Sequence, residues 1–511
     1  MGFRMSQPTL APSLAALAVL AASACGDGVL GSVALKSSTG REPDATAAPA
    51  AHDSADDRAP DVVVRDDGSM PVADAMPPEE PDSGQPEPRT APPESAWPRM
   101  GYDLESTFFN SAETKLTKDN AAQLRVLWRA TMQGNVYAAP LQVGDRVYAT
   151  DQKGIVAFDA ASGNELWSQP VGSASTPSVT EDALYLNSAA SGIVALRTRD
   201  GKQLWSRWPD TQSTDGLSSA IVVGDVVFVG AANGGIELLD QPFRGYVAAL
   251  NRHTGAVVWI TYTVDAPARG AGVWSSPSID LLGRRVFAAT SNNYGPPASN
   301  TSDAFIAFEL KTGRISWINQ RVQNDIWDVS HSSAPDADFG ANPVLYEAEV
   351  YGQRTPLLAA GSKAGTAHAV RRDSGELVWT RQLCAAQQNG SDGIYLNSSW
   401  SGKHVLMACN ADSAATLFAL DGGTGDIVWM RKLPARVWSR ISSANGVGFV
   451  GVGQTLDVFD LDSGAQIASY PSPGGTIAST ISIANGRVAF GDGLSWSDGA
   501  AGNHVTVLGV P

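Results

Sequence analysis

From Trp97 on, apolar and polar residues alternate in short runs such as VGDRVYAT, EDALYLN, VGDVVFVG and LGRRVFAAT. A period of two over so few residues predicts half-buried β-strands. The runs sit inside a longer unit that recurs. It opens with an apolar strand near a turn of small residues, Ser or Ala and Pro. An alternating strand follows, then a third strand that ends in a turn and a Trp. The clearest copies are IVAFDAASGNELW to Trp167, IVALRTRDGKQLW to Trp205, YVAALNRHTGAVVW to Trp259, FIAFELKTGRISW to Trp317, AHAVRRDSGELVW to Trp379 and LFALDGGTGDIVW to Trp429. LDVFDLDSGAQIASY carries Tyr470 in the Trp place, and TIASTISIANGRVAFGDG with NHVTVLGV makes an eighth unit. Asp-x-x-(Thr/Ser)-Gly is turn chemistry, with Gly supplying φ > 0 in a tight hairpin. The Trp after it is large enough to wedge between neighbouring sheets and pin them.

Successive Trp residues of these units are 38, 54, 58, 62 and 50 positions apart. Four-stranded units of about 40 residues have the propeller period. The longer units carry insertions, all between Trp205 and Trp429, and insertions on one side of a repeat array mark a working face. LRVLWRATM (Leu124–Met132) has the strand-plus-Trp end of a unit but no beginning. A closing strand for the last blade explains it and joins the two ends of the ring. The expected fold is therefore all-β, an eight-bladed β-propeller over residues 97–511, with seven blades as the competing count. Fourteen Trp and 51 Gly among only 17% charged residues agree with a tightly turned, aromatic-pinned β-fold.

The first 96 residues are of another kind. Arg4 precedes a short apolar segment, LAALAVL (Leu14–Leu20), and small residues lead to Cys25. This reads as a signal peptide over residues 1–25. Its ending resembles a bacterial lipobox, with Ala22 where Leu is most usual, so Cys25 is expected to be lipidated; ordinary cleavage nearby is the alternative. Gly26 and Asp27 then imply an outer-membrane anchor, with the propeller in the periplasm or at the cell surface. Residues 26–96 hold 11 Pro and no Phe, Trp or Tyr, and 15 acidic against 5 basic residues, which is most of the net charge of −16. Such a stretch cannot bury enough apolar surface to offset its ordering entropy. It is expected to be an extended, disordered tether. The remaining body is mildly acidic, which argues against nucleic-acid binding. No apolar run reaches the roughly 18 residues of a transmembrane helix, so the membrane is expected to be met only through the lipid anchor.

The Asp-x-x-Thr-Gly-x-x-x-Trp unit resembles the tryptophan-docking repeat of quinoprotein dehydrogenases, which use pyrroloquinoline quinone (PQQ). Within that superfamily the chain is most similar to the polyvinyl-alcohol dehydrogenases. WPRMGYDLESTFFNSAETKLT resembles that family's start of domain. GVWSSPSID, FAATSNNYGPP, NDIWDVS, PDADFGANPVL, GSKAG and the ending FGDGLSWSDGAAGN are similar as well. The resemblance covers Trp97–Pro511 and implies PQQ and Ca²⁺ as cofactors.

An o-quinone must be held flat, its carbonyl polarised, and a base set beside the alcohol hydroxyl. Calcium takes oxygen ligands and acts as a Lewis acid. A carboxylate beside it accepts the hydroxyl proton. An aromatic face suits the flat ring, and a cation suits its oxygens. The resemblance supplies candidates in chain order. Glu237 in VGAANGGIELLDQPFRG stands for an acidic calcium ligand. Asn292 in ATSNNYG stands for the amide ligand, with Asn293 as the alternative register. Asp325 in NDIWD stands for the Asp that both touches calcium and acts as base. Trp274 in GAGVWSSP stands for the residue stacked on the quinone, and Lys363 in GSKAG for the cation on its oxygens. Each also has an ordinary reading: a loop acid, turn asparagines, Asp325 and Asp328 as caps, a further wedge, an exposed turn lysine.

The chain departs from the family in places. LLDQPFRG (Leu238–Gly245) lacks the adjacent cysteines that many relatives carry near the quinone, and Asn324 stands where some have His. There is no CxxCH for a haem, so electrons are expected to leave to a separate acceptor such as a cytochrome c. Cys384 and Cys409 could pair in an oxidising compartment or remain buried thiols. No HExxH, CxxC or Walker A motif occurs, and no GxGxxG opens a helix, so zinc, nicotinamide and NTP chemistry are unsupported. The expected function is an exported dehydrogenase of secondary alcohols or a polyvinyl-alcohol-like polymer. The competing reading is a cofactor-free propeller lipoprotein serving as a protein-interaction or outer-membrane-assembly scaffold.

Overall fold

The computed structural model describes residues 96–210, 216–233, 242–328, 336–385, 392–495 and 499–510. The expected leader with Cys25, and the expected linker apart from Ala96, lie outside the described residues.

Eight antiparallel sheets follow one another along the chain, each a meander whose strands pair with their neighbours in sequence. The first blade runs outward from Leu141–Val143 through Arg146–Thr150 and Ile155–Asp159 to Glu165–Gln169, with Ala96–Trp97 added on its inner edge. The last blade draws its outermost strand from the other end of the chain. Ser482–Ala484, Arg487–Gly491 and His504–Gly509 are completed by Arg125–Thr131, paired from Arg125↔Gly509 to Thr131↔His504. The count is thus eight, and the orphan strand closes the ring. A 3₁₀ turn at Ala121–Gln123 is the one helical element among the described residues. None of them forms a helix long and apolar enough to cross a membrane.

The repeat motif works between blades. Each outer-strand Trp reaches the turn of the next blade and donates its indole N–H to a backbone carbonyl there. Trp167 bonds Thr198 O at 2.9 Å, Trp205 bonds Arg252 O at 2.8 Å, Trp379 bonds Gly422 O at 2.9 Å and Trp429 bonds Leu461 O at 2.9 Å. Trp128, on the closing strand, bonds Ala160 O at 3.0 Å and so joins the last blade to the first. Tyr470 does the same work with its hydroxyl, on Ala121 O at 2.9 Å. The ring faces need the motif's glycine. A Cβ at Gly163, where φ is +74°, would come within 2.6 Å of the Trp128 ring. One residue thus serves both the left-handed turn and the close approach.

The middle strands differ from the half-buried expectation. Ala183–Ser188 and Val447–Val452 are buried at every position. A blade has neighbours on both faces, so polar alternation survives only on outer strands such as Glu165–Gln169.

The small-residue turns ahead of the inner strands form a belt of hydroxyls that ties blade to blade. Ser178 Oγ donates to Ala220 O at 2.6 Å and Ser442 Oγ to Ile481 O at 2.6 Å. Ser219 N donates to Ser276 Oγ at 2.9 Å, and Ser276 N to Asn342 Oδ1 at 3.1 Å. The segment after Trp97 then crosses these inner strands. Pro98 O, Leu104 O, Glu105 O, Thr107 O and Phe108 O accept from Val179, Ile279, Leu345, Trp400 and Ser443 N at 2.7–2.9 Å. One stretch of chain therefore bonds five blades, and its Met100 becomes part of the wall of the central channel.

Candidate functional site

The inserted connections of the fourth and fifth blades bring five of the candidate residues, the alternative Asn293 included, into one region. Trp274 lies just ahead of the inner strand Ser278–Asp280. Asn292 and Asn293 follow Arg285–Ala289. Asp325 lies in the long crossover after Ile315–Gln320. Lys363 stands in the turn between Gln353–Gly361 and Thr366–Arg371. Glu237 lies outside the described residues.

The two asparagines divide their labour. Asn293 is fully committed: Nδ2 donates to Arg269 O at 2.8 Å, and Oδ1 accepts from Ser299 N at 2.7 Å and Ser299 Oγ at 3.0 Å. Asn292 turns toward the crossover, its Nδ2 donating to Trp327 O at 2.5 Å. Asn293 N donates to Asp325 O at 3.3 Å, which fastens the two connections together.

Asp325 is buried. Its Oδ1 accepts from Trp327 N at 2.9 Å, while Oδ2 is buried with no hydrogen-bond partner. Burial pushes its carboxyl up to about 6; the Trp327 N–H opposes this, Asp336 adds to it, and Lys363 holds it down. Lys363 is 7% exposed, and its Nζ lies 3.0 Å from Asp336 Oδ2 and 2.8 Å from Asp338 Oδ1. The resemblance implied a cation for the quinone oxygens; in the fold two carboxylates share that cation. Asp338 also accepts the Trp274 indole N–H at 2.8 Å. A chain of contacts thus runs from Trp274 through Asp338 and Lys363 to the crossover.

Three acids in this region had no role from sequence. Asp336 and Asp338 lie in PDADFGANPVL, which was matched as a segment only. Asp303 had no sequence signal. It sits at φ +50° with both carboxylate oxygens buried and without a hydrogen-bond partner. Burial raises its carboxyl well above the usual range, and the charges of Asp325 and Asp338 raise it further. Burial and neighbouring acids both favour the uncharged form of such a carboxyl.

The channel beside the cluster is a cavity of about 80 Å³ that opens to solvent. Its aromatic wall is built from Trp274, Tyr395 and Trp438. Trp274 and Tyr395 meet edge to face at 5.4 Å and 66°, and Tyr395 and Trp438 at 5.3 Å and 79°. Lys363 Nζ stands 5.2 Å from the Trp274 ring and 5.3 Å from the Tyr395 ring, so the buried cation borders that wall. Gly340 backs Trp274 so closely that a Cβ there would overlap the indole. Such a slot suits a flat ring.

Among the described residues, no group of three His, Cys, Asp or Glu is placed to hold a metal. Two of the three expected calcium ligands, Asn292 and Asp325, are described and belong to connections fastened to each other. Oxygen donors with one orphaned buried carboxylate oxygen have the right chemistry for a hard cation, and the aromatic slot has it for a flat quinone. Elsewhere in the fifth and sixth blades, Cys384 and Cys409 form a disulfide, which answers the question the sequence left open.

The sequence matches the family described as "Outer membrane protein assembly factor BamB" over residues 81–207, 125–339, 244–394 and 363–507. It is 28% identical over 317 residues to a polyvinylalcohol dehydrogenase of Pseudomonas sp, covering 54% of this chain and 49% of that protein. A polyvinylalcohol dehydrogenase of Sphingopyxis sp. (strain 113P3) is 26% identical over 360 residues, covering 60% of this chain and 54% of that protein. The chain therefore spans about half the length of these relatives. In fold it is similar to the quinohemoprotein alcohol dehydrogenase of Comamonas testosteroni, with a TM-score of 0.69 at 15% identity over 82% of this chain and 81% of that one.

Proposed function

The chain belongs to the PQQ-like repeat family, and from that premise we propose that it is an exported, PQQ- and Ca²⁺-dependent dehydrogenase of secondary alcohols or a polyvinyl-alcohol-like polymer. One observation carries the reading. Asp325 is a buried carboxylate with one oxygen tied and the other orphaned, its carboxyl held near 6, and one buried lysine separates it from the aromatic wall.

In this reading Asn292 and Asp325, with Glu237, hold Ca²⁺. When bound, the quinone supplies the hydride acceptor and the metal ion a Lewis acid. The chain's own residues do the rest. Asp325 Oδ2 takes the proton of the substrate hydroxyl. Trp274 offers its face to the ring, and Asp338 fixes the plane of that indole. Lys363 donates to the cofactor's oxygens, with Asp336 and Asp338 holding its Nζ in position. The aromatic and aliphatic walls keep bulk water from the reacting groups.

Export, with Cys25 as a lipid anchor at the outer membrane and residues 26–96 as a tether, belongs to the same proposal. The Cys384–Cys409 bond supports it, because structural disulfides persist in oxidising compartments. Electrons pass to a separate carrier such as a cytochrome c.

Reconstitution tests the reading. The purified protein is given PQQ and Ca²⁺, and dye reduction is followed with secondary alcohols and polyvinyl alcohol. Turnover that needs both cofactors is the expected result. The description of the matched family favours a second reading, a cofactor-free scaffold. Absence of PQQ binding would select it.

A further inference from the structure

Arg440 has no part in the chemistry above, and its surroundings are unusual. It follows Trp438 by two residues, ahead of the inner strand Ser442–Ala444 of the seventh blade, and both side chains line the central cavity. Arg440 is 7% exposed, and its Nε is buried without a hydrogen-bond partner. Among the described residues it forms no ion pair. The other buried arginine does, since Arg372 meets Glu105 at 3.3 Å and Asp280 at 3.4 Å, and the partly buried Arg436 meets Asp392 at 2.8 Å. The cavity that it lines has apolar members, Met100, Leu217 and Ala478 among them. Burial lowers the guanidinium only to about 10, so it stays charged at neutral pH.

A buried charge without a partner is costly, and native proteins pair such groups. Among the described residues no carboxylate pairs with it, which assigns the partner to whatever fills the cavity. A guanidinium fork matches a carboxylate through two parallel N–H···O bonds. Trp274, Tyr395 and Trp438 line the same cavity and meet edge to face. Lys363, the cation behind the Trp274 and Tyr395 rings, is already paired with Asp336 and Asp338.

We propose that Arg440 and the Trp274–Tyr395–Trp438 wall form an anion subsite that takes a carboxylate carried on a flat aromatic ligand. The inference rests on the cofactor reading and deepens it, since PQQ is an aromatic polycarboxylate. It also stands apart from the calcium site, because Arg440 belongs to a different blade from Asn292, Asp325 and Lys363.

The test compares the wild type with Arg440→Met and Arg440→Lys in the full protein. Binding of PQQ with Ca²⁺ is read by quenching of tryptophan fluorescence, and thermal stability is read with and without phthalate. Arg440→Met should weaken PQQ binding about 10- to 100-fold, as expected for losing a charge-assisted pair. Arg440→Lys keeps the charge without the fork and should fall between. Phthalate should raise the melting temperature of the wild type but not of Arg440→Met. Without any ligand, Arg440→Met should melt no lower than the wild type, because it removes an unpaired buried charge. PQQ affinity unchanged in both variants overturns the proposal, as does a phthalate shift of equal size in all three proteins. If the wild type ignores PQQ while phthalate stabilises it through Arg440, the cofactor reading fails and the anion subsite stands. If it responds to neither, both fail.

Discussion

Asp325 and His368 lie in neighbouring blades and are both buried, yet burial does opposite things to them. It raises the carboxyl of Asp325 to about 6, so the group remains able to accept a proton near neutral pH. Asp325→Asn should leave the propeller folded and remove turnover in the reconstituted enzyme, because an amide cannot take the hydroxyl proton; activity close to wild type would dismiss Asp325 as the base. His368 packs against Phe305 and Phe339 at 6.5 and 6.0 Å between ring centroids. Burial, with the Arg321 charge, lowers it to about 3 from an ordinary 6.5, so it is neutral in the fold. Between those values the unfolded chain binds the extra proton. Stability is therefore full above pH 6.5 and falls as pH drops toward 3, by up to about 1.4 kcal/mol per pH unit from this group. Urea titrations between pH 4 and 7 should show a shallower slope in His368→Gln, and identical slopes would show that the histidine is not the source.

At the scale of the blade, the unit of cohesion is a Trp on one sheet and the Asp-x-x-Thr/Ser-Gly turn on the next. The indole N–H meets a carbonyl of the neighbouring turn, and the ring covers a glycine that has no side chain to displace it. Trp167→Ala should cost about 3–5 kcal/mol, the usual range for removing a buried Trp. It should leave PQQ affinity unchanged, since the contact lies at the outer strand, far in sequence and blade order from Trp274 and Lys363. Trp128→Ala should cost more than Trp167→Ala. Arg125–Thr131 is not joined to its own blade by a hairpin, so once its Trp is gone only the ladder to His504–Gly509 retains it. Denaturant midpoints of the two variants would decide the order.

Over the whole molecule, two devices turn eight similar sheets into one closed body. The strand Arg125–Thr131 joins first and last blades, and the stretch from Pro98 to Phe108 bonds the inner strands of five of them. The disulfide adds a third constraint by closing a loop of 25 residues between the fifth and sixth blades. The chain-entropy argument gives such a loop about 3 kcal/mol. Reduction, or Cys384→Ser with Cys409→Ser, should lower the unfolding free energy by that order while leaving the other six blades in place. An unchanged denaturant midpoint under reducing conditions would remove the disulfide from the account.

The repeat determined most of this by itself. Strand alternation, the Gly turn and the Trp at fixed offset are local features, so eight units and a closing strand could be counted along the chain. Trp274, Asn292, Asp325 and Lys363 came from the family resemblance of the inserted segments, and their side-chain types suit the chemistry it implies. Tertiary structure decided what sequence order cannot encode. It separated Asn293, spent on Arg269 and Ser299, from Asn292, which leans on the crossover that carries Asp325. It paired Lys363 with Asp336 and Asp338, brought Asp303 in beside them, and left Arg440 facing the cavity without an acid among the described residues. Those outcomes depend on which loops of different blades meet at the axis. Charge in a buried space is governed by distance through the fold, whereas the strands and turns answer to neighbours only a few residues away.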